Sequence, residues 1–167
     1  NGKGFAVIGA THLDEGRPIE GSSFSNTVVK AFADLNVSST GRLEVTLRSS
    51  KSDGTTFPDD SGGPKFAKNT SVDNREATEL ATGIKYNREL LKTWNLELNS
   101  SVYRRREIFQ SPGVAPGLRS SAGVPVNSSE TTFEKLALGA VTEIQFGEEV
   151  SSAVGVNFDH ESGINNG

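Results

Sequence analysis

Four aspartates, Asp53, Asp59, Asp60 and Asp73, lie within one long polar stretch of this 167-residue chain. Carboxylates are the hard oxygen ligands that calcium takes, so this acidic loop is the first candidate for chemistry, with calcium as the ion it would hold. The plainer reading is a set of solvated, turn-forming aspartates. The two histidines, His12 and His160, each sit at the end of a strand-like segment. The chain has no cysteine, which excludes disulfides and thiolate-ligated metal. Serines are plentiful, but no spacing supports a Ser–His–Asp arrangement. Gly62-Gly63 lacks the lysine and hydroxyl of a phosphate loop. No enzyme is expected, and no cofactor is required. Arg104, Arg105 and Arg106 form the basic run of the chain. They read as a strand end entering an exposed loop, and a net charge of −4 gives no footprint for nucleic acid.

The elements that would position these residues are strands. Period-two alternation runs from Ser23 to Asp159, after a first strand at 3–12 led by Phe5, Val7 and Ile8. The second strand, 24–37, sets Val29, Ala31, Ala33, Leu35 and Val37 on one face. The third, 42–50, opposes Leu43, Val45 and Leu47 to Glu44, Thr46 and Arg48. The fifth, 93–106, alternates most cleanly: Trp94, Leu96, Leu98, Ser100 and Val102 against Asn95, Glu97, Asn99, Ser101 and Tyr103. The sixth and seventh follow at 132–146 and 150–159. Only Glu76–Leu91 is contested, because its Ala, Glu, Leu and Lys favour a helix. Thr78, Thr82, Ile84, Tyr86 and the Gly83 interruption favour a strand at 75–86 instead.

The connections alternate too. Those at 37–41, 87–92 and 146–149 are short, whereas those at 12–22, 51–74 and 108–130 are long and rich in Gly, Pro and Ser. Short turns at one end and long loops at the other are the mark of an outer-membrane β-barrel. Tyr86, Trp94 and Phe146 all lie on the apolar face beside short turns. This is where an interfacial girdle of aromatic rings belongs. The fold class expected is therefore all-β, with antiparallel transmembrane strands. About seven strands are visible, a partial barrel, because single-chain bacterial barrels carry an even number from 8 upward. The opening Asn1-Gly2, the absence of methionine and the loop-like Asn165-Asn166-Gly167 suggest a fragment or processed chain.

The stretch from Leu43 to Asp159 resembles the barrel of TonB-dependent outer-membrane transporters, the cobalamin-receptor-like branch in particular. The resemblance is carried by LEVTLRSSKSDGTTFPDD, VDNREATELATGIKYNRELLKTWNLELNSSVYRRRE and ETTFEKLALGAVTEIQF. Within them, Asp73-Asn74-Arg75 matches the family's loop-to-strand junction. Ile84-Lys85-Tyr86-Asn87-Arg88-Glu89 matches its strand-closing pattern. GFAVIGATH, at the start, looks like the family's strand opening. The resemblance implies that residues 1–167 are a middle part of the barrel, without the plug domain or energy-coupling box. It further implies a bacterial outer-membrane receptor that imports a large, scarce ligand such as cobalamin or a siderophore-like iron chelate. Its partners would be outer-membrane lipid and, through the plug, the TonB complex. In that branch, loop aspartates equivalent in place to these four bind calcium.

Two other readings share the period-two pattern. One is a small self-contained barrel serving adhesion or membrane stability. The other is a soluble β-sandwich acting as a binding module, with Trp94 buried against other side chains.

Overall fold

The computed structural model describes residues 3–17, 21–56, 72–113, 122–147 and 149–167. They form one antiparallel sheet of seven strands in sequence order: β1 (Gly4–Asp14), β2 (Ser23–Asn36), β3 (Gly41–Thr56), β4 (Asp73–Leu91), β5 (Trp94–Ser111), β6 (Asn127–Phe146) and β7 (Val150–Asn166). Every strand pairs with its neighbour in the chain, so the sheet is a pure meander. Only β1 and β7 have a free edge, and the sheet is not closed. No helix occurs among the described residues, and the contested segment is strand throughout.

Each strand is longer than its apolar alternation. β3 continues from Ser50 to Thr56, β6 begins at Asn127 instead of Thr132, and β7 runs on from Asp159 to Asn166. Polar cross-strand contacts hold these extensions. Ser23 Oγ lies 2.8 Å from Thr55 Oγ1, and the Arg106 guanidinium donates to Glu130 at 2.7 Å. The expected turn at 87–92 is also shorter: β4 reaches Leu91, and Lys92-Thr93 alone makes the reversal, next to a bulge between Glu89 and Leu91. At the β2–β3 turn, the Val37 N–H donates to the Gly41 carbonyl at 2.9 Å. The Glu89 N–H of β4 donates to the Thr40 carbonyl at 2.9 Å, so a neighbouring strand anchors that turn.

No apolar side chain among the described residues is buried. A soluble domain sets its apolar stripe against a second layer. Here the described residues form a single layer, and no second layer covers its apolar side chains.

Candidate functional site

The two faces of the sheet are set by register, because neighbours across a ladder point the same way and successive residues point oppositely. One row across all seven strands reads Ala6, Ala33, Val45, Ile84, Ser100, Leu138 and Phe158. The row towards the short turns has Leu35, Leu43, Tyr86, Leu98, Ala140 and Val156. The row towards the long connections has Ile8, Ala31, Leu47, Thr82, Val102, Leu136 and His160. No Asp, Glu, Lys or Arg interrupts these three rows. Beyond them, towards the long connections, the same face turns charged: Arg104 bonds Glu134 at 3.0 Å and Arg106 bonds Glu130 at 2.7 Å. On β5 the uncharged stretch of this face, Trp94–Val102, is about nine residues, the reach of one tilted membrane-crossing strand.

The three aromatic positions fall at different rows. Phe146 pairs with Val150 beside the last short turn, and Trp94 pairs with Ile144 beside Lys92-Thr93. Tyr86 pairs with Leu98, two rows inward from Trp94 along β5. Its ring leans back towards the β2–β3 turn, over Gly41. A Cβ added at Gly41 would stand 3.1 Å from the Tyr86 hydroxyl and 2.7 Å from Ser38 Oγ. A side chain at position 41 would thus crowd Ser38 Oγ and the Tyr86 hydroxyl, and glycine leaves that space free. The Trp94 indole N–H donates to Thr142 Oγ1, which in turn donates to the Asn95 carbonyl at 3.1 Å.

The opposite face carries a lattice of ion pairs. At the short-turn end, Arg42 grips Asp34 with two bonds, Nε to Oδ1 at 2.8 Å and a terminal nitrogen to Oδ2 at 2.6 Å. Lys85 meets Glu97 at 2.9 Å, and Lys135 meets Glu161 at 2.7 Å. At the long-connection end, Glu107 accepts from Arg75 Nε at 2.7 Å and from Arg105 at 2.6 Å. Arg105 also reaches Glu79 at 3.4 Å. Burial alone would raise the Glu107 pKa, but the bonds and charges of Arg75 and Arg105 outweigh it and hold the group below the ordinary glutamate range. Across the sheet, at the charged end of the apolar-row face, Glu130 is lowered as well, chiefly by its bond from Arg106. Aromatic rings stand among the charges: Phe5 meets Phe32 at 5.6 Å and Tyr103 meets Phe133 at 6.0 Å. Sequence reasoning passed over Phe32 and Phe133, although their parity puts them on this face.

Some carboxylates of the ion-paired face are better covered than mid-sheet aliphatic residues of the other face. Ile84 and Leu138, mid-sheet residues flanked by strands on both sides, are 50% and 44% exposed. The carboxylate side chains of Asp34 and Glu107 are only 12% and 19% exposed. Charged residues are ordinarily the most exposed and aliphatic ones the least.

The acidic candidates are divided. Asp59 and Asp60 lie outside the described residues. Asp53 stands on the apolar-face side of β3, opposite Glu76, with Lys51 at 3.5 Å. Asp73 pairs with Thr56, and alternation puts it on the other side of the sheet. Asp53 and Asp73 therefore start from opposite sides of the sheet, and no metal-suited group of three His, Asp or Glu occurs among the described residues. His12 Nδ1 sits 2.9 Å from Thr27 Oγ1, and His160 lies across from Leu136. No family model matches the chain, and neither a curated protein nor a solved structure matches it.

Proposed function

We propose that the chain forms part of the wall of an outer-membrane β-barrel, in a TonB-dependent type of receptor that imports a large, scarce nutrient such as cobalamin or an iron chelate. The apolar face meets lipid, the ion-paired face lines a wet lumen, and the long connections stand on the side where ligand arrives. The observation that carries this reading is that the apolar rows stay uncovered. Leucines and isoleucines left open to solvent in a single layer need an apolar surrounding. Charges that shield one another suit the crowded inner side of a curled sheet. The meander topology, the alternation of short and long connections and the aromatic residues near the short turns agree with it. The transport function itself rests on the sequence resemblance. A β-sandwich would require a second sheet packed on the apolar rows.

Partitioning tests the membrane part. The chain is refolded with and without detergent micelles or lipid vesicles, and β-structure is read by circular dichroism. The single Trp94 reports position through quenching by brominated lipids. The expected result is lipid-dependent β-structure, with quenching strongest for bromines near the headgroups. A compact β-rich monomer in plain buffer, with Trp94 unquenched, overturns the reading.

A further inference from the structure

Among the described strand residues, most cations of the ion-paired face are matched, but Lys30 and Arg48 are not. Lys30 of β2 and Arg48 of β3 stand directly opposite each other in the ladder. Directly opposed residues hold their Cβ atoms about 4.5–5.5 Å apart, and like charges so placed repel. Neither has a carboxylate within ion-pair distance among the described residues, whereas Arg42, Arg75, Lys85, Arg105 and Lys135 all do. The nearest carboxylate by register on this face is Glu79, one row along. It is already engaged by Arg105 at 3.4 Å and by the Ser50 hydroxyl at 3.4 Å.

The surroundings leave room. On either side of the pair in the same row are Gly9 and Ala81, and Gly83 lies one row away. These small residues leave a hollow of about 530 Å³ with the two cations and Phe32 in its lining. The lining is otherwise mostly apolar. We propose that this hollow is a binding site for a multi-oxygen anion, a phosphate or carboxylate on an apolar body, with Lys30 and Arg48 closing on the head group and the Phe32 side taking the body. Arginine's planar fork suits two oxygens of such a head, and the lysine adds a point charge. The site shares one premise with the proposed function, that this face is open to water, and deepens that reading by giving the ligand a negative charge.

Calorimetric titration of the folded full chain with inorganic phosphate and with hexyl phosphate, at fixed ionic strength, tests the site. The expected result is saturable binding of both, about tenfold tighter for hexyl phosphate because part of its chain is buried. Lys30→Gln or Arg48→Gln should each weaken binding about tenfold, and the double variant should abolish it. Lys85→Gln, whose lysine is held by Glu97, should change nothing. Each single change should also raise the unfolding midpoint in phosphate-free buffer, since it relieves a like-charge contact; a purely structural role gives the opposite sign. If the double variant does not fold, the wild-type midpoint in phosphate against chloride at matched ionic strength decides. A rise with phosphate alone supports the site, and equal midpoints overturn it. Absence of saturable binding, or binding indifferent to both substitutions, also overturns it. Phosphate binding by a chain that ignores lipid would sink the barrel reading and leave the site standing. Lipid insertion without phosphate binding would do the reverse.

Discussion

The two faces of this sheet are built from the same strands, one residue out of phase, and they follow opposite rules. On one face three rows run across seven strands without a carboxylate, lysine or arginine, yet the side chains stay exposed. On the other, carboxylates and guanidiniums interlock, and the carboxylates of Asp34 and Glu107 are more covered than Leu98 and Leu138 on the first face. The difference teaches that no second layer among the described residues covers the apolar rows, whereas the charged side carries its own partners in the same sheet.

The sharpest way to break that contrast is a lysine on the apolar rows. In chain refolded into vesicles, Leu138→Lys is expected to cost roughly 2–4 kcal/mol in a urea titration, the penalty for a cation near the bilayer midplane. Next in size is Glu107→Gln, which leaves Arg75 and Arg105 short of a carboxylate and should cost about 1 kcal/mol. The pH dependence has a fixed sign. The folded pKa of Glu107 lies below its unfolded value, so its contribution is complete above the ordinary glutamate pKa of about 4.3 and is lost as pH falls through the folded value. Unfolding titrations from pH 7 down to 3 should therefore show a shallower decline in Glu107→Gln than in the parent. A parallel decline would mean that the pair with Arg75 and Arg105 contributes nothing. The half-exposed pair Lys85–Glu97 should show a coupling of only about 0.2–1 kcal/mol in a double-mutant cycle, further reduced by salt. Smallest of all is Ala137→Lys. Ala137 is the residue before Leu138 but faces the ionic side, opposite Asp159. Its change should stay within about 0.5 kcal/mol. Equal costs at 137 and 138 would erase the distinction between the faces.

Alternation alone made the faces readable. Trp94, Leu96, Leu98 and Val102 needed no structure to be placed together, and neither did Val29 through Leu35. The strand ends were not readable, because Ser, Thr and Asp carry no apolar period. Their pairing depends on a partner across the ladder, as with Ser23 and Thr55. The ion pairs were hidden for a related reason. Lys85 finds Glu97 only when the reversal is confined to Lys92-Thr93, and a turn placed at 87–92 gives every residue of β4 and β5 a different partner. The opposition of Lys30 and Arg48 likewise emerges only from the β2–β3 register. Of the four aspartates, Asp53 and Asp73 looked like neighbours across one loop. Counting alternation from the paired strand ends sets them on opposite sides.

A meander reverses direction at every step, so the first and seventh strands of this sheet point the same way. Their free edges are therefore not complements in an antiparallel sense. Rolling the sheet until β1 touched β7, or placing copies side by side about an axis normal to a membrane, would create a parallel seam. Sealing the wall with antiparallel hydrogen bonds alone requires an odd number of additional strands between the two edges. The parity of a simple count thus limits any all-antiparallel closure of this sheet to an odd number of further strands.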